Sequence, residues 1–135
     1  MDVLPLANAL QWLHRLGMRY DGKPIRPKHT TDTVETAIIL LLDAKGHTLD
    51  RLEYAGGTDQ LRLPWRDIVL QALIADCRGA VLMHNHPSGD PNPSDADIQV
   101  TRMLCRMLRM LEMKLLDHII VTTETSFSFR ENGLL

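Results

Sequence analysis

Residues 80–97 read AVLMHNHPSGDPNPSDAD, and this stretch decides the fold because an apolar segment gives way to a polar loop and then to a helix. Residues 80–83 are short and apolar, as expected of a buried strand. Three prolines and a glycine mark the loop. From 94 to about 114 the apolar residues recur at helical spacing, which predicts a long amphipathic helix. A strand, a loop and a helix are therefore expected in direct succession.

The segments before and after this stretch predict further strands and another helix, which together indicate an α/β fold. Residues 37–42, AIILLL, predict a strand buried on both faces, and 47–54 predict a hairpin partner. A helix is expected over 64–77, because Pro64 suits a first turn and apolar residues follow. Its inner side is predicted to carry Ile68, Leu70, Ala72 and Leu73. Residues 119–123 and 127–130 predict two final strands.

Composition is typical of one globular domain, with 135 residues, 44% of them apolar and 24% charged. We expect a single domain over 1–135, made of an N-terminal helix and connecting segment at 1–29 and a core at 30–135. The net charge of -2 lacks the basic excess of proteins whose main task is gripping phosphate backbones. A nucleic-acid partner is therefore unsupported, although the charge does not exclude it.

The sequence also indicates a compartment. It shows neither a secretory signal nor a run of about 18 apolar residues, so we expect a cytoplasmic protein without a membrane partner. Cys77 and Cys105 form no C-x-x-C pair and are expected to be buried free thiols, in agreement with a reducing compartment. The oligomeric state is not indicated.

His84 and His86 are the first candidates for chemistry. Two residues apart on an extended backbone, they point to the same face and could chelate a metal. Asp97 has two interpretations. With Ser94 it forms S-x-x-D, which is a helix capping box. Alternatively, it joins the two imidazoles in a three-ligand set with one open position, as in catalytic zinc sites.

Three metal-dependent enzyme classes do not match. The contiguous H-N-H at 84–86 differs from HNH nucleases, whose motif residues are spread through a hairpin and helix. Zinc deaminases need H-x-E and P-C-x-x-C, and both motifs are absent from the sequence. The HExxH motif of the commonest metalloproteases is absent as well.

The complete spacing, H-x-H, seven residues, S, two residues, D, resembles the JAMM motif of JAB/MPN metalloenzyme domains in the RadC-like branch. The similarity extends to HNHPSGDPNPSDADI at 84–98, GGTDQLRLPWRDIVLQAL at 56–73, LLDHIIV at 115–121 and ENGLL at the end. It covers about residues 30–135. No counterpart is seen of the N-terminal helix-hairpin-helix region of longer RadC proteins. The resemblance implies an α/β fold of cytidine-deaminase-like architecture, with a mixed sheet flanked by helices.

The same resemblance implies roles for particular residues. His84, His86 and Asp97 would bind Zn²⁺, Ser94 would contribute to the oxyanion site, and Glu35 would be the general base. Glu53 matches the family's glutamate less well than Glu35. His118 is family-typical, and a place in the core or behind the ligands suits it better than ligation.

Two functions follow as hypotheses. The first is a zinc metallopeptidase that hydrolyses a peptide or isopeptide amide, with a protein substrate such as the ubiquitin-like tails that the best-known relatives cut. Glu35 would activate the attacking water. The second is a binding module in DNA repair or a mobile element, where the metal is structural or the site vestigial. Substrate choice is expected to depend on loops 21–34 and 55–63.

Overall fold

The computed structural model describes residues 35–55 and 62–135, which form five strands and two helices. In chain order these elements are β1 (Thr36–Leu42), β2 (Thr48–Ala55), α1 (Trp65–Ala75), β3 (Gly79–Asn85), α2 (Asp95–Met110), β4 (Lys114–Val121) and β5 (Ser126–Ser128).

The strands form one mixed sheet in the order β2-β1-β3-β4-β5. β3 and β4 are parallel, and the other neighbouring pairs are antiparallel. Parallel neighbours need a crossover connection, and here α2 provides it. The expected α/β class with a mixed sheet and helices is confirmed.

The sheet is apolar on both faces because β1 alternates between them and is buried along its whole length. Both described helices contribute to the core on one face, which includes Ala37, Ile39, Leu41, Ile68, Ala72, Leu104 and Leu108. A second buried cluster, on the other face, includes Ile38, Leu40, Leu42, Val81, Met83 and Ile119. Neither described helix contributes to this second cluster.

This topology brings three chain segments to one edge of the sheet. β3 ends at Asn85, and α2 begins ten residues later at Asp95. In the antiparallel register of β1 and β3, Ala37 lies opposite His84. The start of β1, the end of β3 and the N-terminus of α2 therefore meet at this edge.

Several element boundaries differ from expectation. β3 continues to Asn85 instead of ending at Met83, because its backbone pairs with β1 on one side and β4 on the other. α2 ends at Met110, and Glu112 after it adopts a left-handed conformation with φ 59°. β4 begins at Lys114, well before the expected start at 119.

The predicted inner side of the 64–77 helix is half wrong. Ile68 and Ala72 are buried, but Leu70 is 53% and Leu73 52% exposed. Residues four apart share a helix face, whereas Leu70 follows Ile68 by two positions and points the other way.

Some expectations lie outside the described residues: the N-terminal helix and connecting segment at 1–29, loop 21–34, and most of loop 55–63. The division into an N-terminal segment and a core therefore stays a prediction. Cys77 is buried and Cys105 half-buried, and both are free thiols. Among the described residues, none of the helices has the length and apolar character needed to cross a bilayer.

Candidate metal centre

The two histidines lie at the end of β3 on the sheet face that α2 covers. His84 is paired with Ala37 of β1 and Ile120 of β4, and its side chain is completely buried. His86 follows the strand, where its backbone N–H donates to the Val121 carbonyl at 2.9 Å. Its side chain is 11% exposed. Strand alternation thus directs both imidazoles to one side at different depths.

Asp97 contacts both imidazoles from the first turn of α2. Its Oδ1 lies 3.2 Å from His84 Nε2, and its Oδ2 lies 2.9 Å from His86 Nε2. The same Oδ2 accepts the Ser94 backbone N–H at 2.9 Å, while Ser94 Oγ accepts the Asp97 N–H at 3.1 Å. The capping box is therefore present, and its carboxylate also touches both histidines.

Glu35 reaches the same place from the start of β1. It is buried directly before β1, and Glu35, His84 and His86 hold potential ligand atoms within 4.8 Å of one another. These three residues could hold a metal ion. Glu53, the weaker match for the glutamate, is exposed on β2 and pairs with Arg51.

Asn85 fixes the position of Glu35 relative to the histidines. Its Oδ1 accepts the backbone N–H of Thr36 at 2.7 Å and the Thr36 hydroxyl at 3.1 Å. The residue between the two histidines thus points to the opposite face and ties the end of β3 to the residue that follows Glu35.

Burial and the Asp97 carboxylate act in opposite directions on the histidines. Burial lowers the pKa of His84, and the contact with Asp97 only partly offsets it. At His86, burial also favours the neutral form, but Asp97 and the Asp90 carbonyl outweigh it and raise the pKa. The pKa of Asp97 stays well below its usual range, because its contacts with the two imidazoles exceed the opposing effect of burial.

A metal ion fits these residues. His84 Nε2 is buried and has no hydrogen-bond partner in the described part of the chain, although Asp97 Oδ1 is only 3.2 Å away. An unsatisfied buried nitrogen is costly unless another group engages it. Two imidazole nitrogens with carboxylate oxygens are a donor set that zinc accepts.

The family model described as a RadC-like JAB domain matches residues 22–134. The chain belongs to this family.

Curated relatives of this RadC-like JAB domain carry the name UPF0758 protein. The protein from Neisseria gonorrhoeae is 37% identical over 105 residues, covering 77% of the chain and 47% of the relative. The protein from Coxiella burnetii is 39% identical over 103 residues, 75% of the chain and 46% of the relative. The chain spans less than half the length of either relative.

The fold brings Glu35, His84, His86 and Asp97 together and places Ser94 at the N-cap beside Asp97, while their catalytic roles stay predictions. Sequence reasoning missed the nearby side chain of Thr101. Thr101 is buried at 3% exposure behind the centre. A sequence signal for Thr101 was available, because it follows Asp97 by four residues and so shares its face of α2, where the later buried residues are apolar.

The backbone of Asp90 was missed as well. Its carbonyl lies 2.8 Å from His86 Nδ1. Its side chain is exposed, and its Oδ1 accepts the backbone N–H of Asn92. No side-chain pattern could indicate this contact, since it involves only the carbonyl that every residue has.

Proposed function

We propose that the domain is a zinc-dependent metallopeptidase that hydrolyses a peptide or isopeptide amide bond. The observation that carries the proposal is the convergence of Glu35 with the two histidines, within 4.8 Å, while Asp97 contacts both imidazoles. Membership of the RadC-like JAB family supports a metal-dependent hydrolase.

His84, His86 and Asp97 would hold the ion, each from a position that the fold restrains. His84 lies within the strand ladder, and Asp97 is held by the helix cap. Such outer contacts orient ligands and strengthen metal binding. When bound, zinc would supply Lewis acidity, lowering the pKa of water toward neutrality and polarising the substrate carbonyl.

Glu35 would move the protons of the reaction. Its carboxylate would accept a proton from the attacking water and deliver it to the leaving nitrogen. Burial at the edge of the sheet and the anchoring of Thr36 to Asn85 keep this carboxylate close to the histidines.

Ser94 would donate to the developing oxyanion. Its Oγ already accepts the Asp97 N–H, and a hydroxyl can accept with a lone pair while it donates its proton elsewhere. One such donor typically contributes about 3 to 4 kcal/mol to the transition state. Helix capping and oxyanion stabilisation are therefore compatible at this residue.

Replacing Glu35 by Gln separates metal binding from catalysis. We expect Glu35→Gln to retain stoichiometric zinc while cleavage of a peptide library falls by about 10²- to 10⁴-fold, the usual contribution of a general acid–base group. Metal content is measured by atomic absorption, and cleavage by mass spectrometry.

Glu53→Gln is the matched control, because Glu53 is exposed on β2, and it should cleave like the wild type. Undiminished cleavage by Glu35→Gln would refute the proposal. A binding module would be supported instead if the wild-type protein holds zinc and cleaves no peptide, but binds DNA with a steep salt dependence.

A further inference from the structure

A chain of three contacts runs behind His84 through the buried part of the domain. His84 Nδ1 lies 2.6 Å from His118 Nε2, and His118 Nδ1 lies 2.5 Å from Thr101 Oγ1. Thr101 Oγ1 donates to the backbone carbonyl of Asp97 at 2.8 Å. Because the Asp97 carboxylate contacts His84 Nε2, the contacts form a closed circuit.

The circuit determines where the protons lie. In its contact with the Asp97 carbonyl, which can only accept, Thr101 donates its single hydroxyl proton. Thr101 Oγ1 then accepts from His118, which places a proton on His118 Nδ1. A neutral His118 therefore has its lone pair at Nε2, and His84 must donate to it from Nδ1.

Burial keeps His118 in this neutral form. Its side chain is 0% exposed, and a charged imidazole is costly at this depth. The ring also stacks on Phe129, with centroids 4.4 Å apart and planes 14° from parallel. The imidazole is thus held in one orientation between Thr101 and His84.

We propose that Thr101 and His118 are positioning residues that set the tautomer of His84, so that its Nε2 lone pair points toward Asp97 and the metal position. The inference rests on the proposed metal site. In that tautomer the Nε2 atom of His84, 3.2 Å from Asp97 Oδ1, can bind a metal ion beside the carboxylate.

The test reads the tautomer directly in metal-free, ¹⁵N-labelled protein by long-range ¹H–¹⁵N correlation of the histidine rings. The wild type should show the Nδ1–H form at both His84 and His118. In Thr101→Val, which keeps the side-chain shape but removes the acceptor, His84 should shift toward a mixture of tautomers. Thr101→Ser, which restores the hydroxyl, should return the wild-type pattern.

Zinc affinity, measured by competition with a chromophoric chelator, provides the second readout. We expect about a 10- to 100-fold loss in Thr101→Val and recovery in Thr101→Ser, the range found when contacts behind a metal ligand are removed. Thr36→Val is the matched control: Thr36 is also buried near the centre but faces the opposite side of the sheet. It should leave the His84 tautomer unchanged.

The outcomes separate this inference from the proposed function. An Nε2–H tautomer at His84 in the wild type would overturn the positioning role, even if Thr101→Val failed to fold. Unchanged tautomer and affinity in a folded Thr101→Val would do the same. Wild-type protein with the expected tautomer but no zinc affinity would instead contradict the metal site.

Discussion

His84 and His86 are separated by one residue, yet they are held in different ways. His84 is buried within the strand ladder, and its Nδ1 contacts the side chain of His118 from β4. His86 lies beyond the strand, and its Nδ1 contacts the Asp90 carbonyl four residues along the chain. At Nδ1, tertiary packing thus orients one imidazole, whereas local loop geometry orients the other.

This difference shows how one chelating pair can combine two kinds of support. The long-range contacts of His84 form only when β4 and α2 pack against β3. The contact of His86 needs only the loop conformation. Variants that act on both histidines, on their link to Glu35, or on His86 alone should therefore have effects of decreasing size.

Asp97 contacts both imidazoles, so its removal should have the largest effect. We expect Asp97→Ala to weaken zinc binding by more than about 100-fold, beyond the loss typical of residues that only support a ligand. Loss of the capping box should also lower the free energy of unfolding by about 1 kcal/mol. Chelator competition and urea denaturation measure the two effects.

Asp97→Asn separates the loss of zinc affinity from the loss of stability, because an amide oxygen can still accept the Ser94 N–H. It should recover stability more than zinc affinity. Asp95→Ala, an exposed acidic residue in the same helical turn, should retain wild-type zinc affinity. Equal zinc affinity in Asp97→Ala and Asp95→Ala would exclude Asp97 as a ligand.

Asn85→Ala tests the link between the histidine pair and Glu35. Thr36 is buried, and the variant leaves its backbone N–H and hydroxyl without this acceptor. We expect a loss of about 1 to 3 kcal/mol in the free energy of unfolding. Peptide cleavage should fall more than zinc affinity, because the displaced carboxylate is the proposed base.

Thr36→Val is the comparison, since it removes only the longer hydroxyl contact and keeps the backbone N–H bond. Its loss of stability should be smaller than that of Asn85→Ala. If both variants leave stability and cleavage unchanged, Asn85 does not hold Glu35 in place.

Gly89→Ala should have the smallest effect and should act on the His86 side alone. Gly89 has φ +85°, and an added Cβ would meet nothing within 4 Å, so the cost is purely conformational. An alanine in the left-handed region adds about 1 kcal/mol of backbone strain. If that strain raises the free energy of the zinc-bound protein only, zinc affinity falls by about fivefold.

The histidine NMR spectrum sharpens this prediction. Gly89→Ala should leave the tautomer of His84 unchanged, because the buried circuit does not include the loop. Asp95→Ala, at an exposed position outside this loop, is the control and should bind zinc like the wild type. A changed His84 tautomer in Gly89→Ala would show that the two sides are not independent.

Much of the fold and the set of candidate residues could be predicted from local patterns. The run at 37–42 is the fully buried strand β1, because continuous apolar residues suit a strand with both faces covered. The spacing of His84, His86 and Asp97 led to residues that do converge. The inner face of α1 was less predictable, since apolar Leu70 and Leu73 lie on the surface.

The amino-acid sequence by itself determined which side chains share a strand face and where α2 begins, because alternation and capping act over a few residues. Only the tertiary structure decided that Glu35 joins the histidines, and that Thr101 and His118 complete a circuit behind them. Apart from the contact of Thr101 with Asp97 within α2, those contacts join residues 13 to 51 positions apart, so they depend on the register of β1, β3 and β4 and on the packing of α2. Local sequence patterns carry no information about distances of that kind.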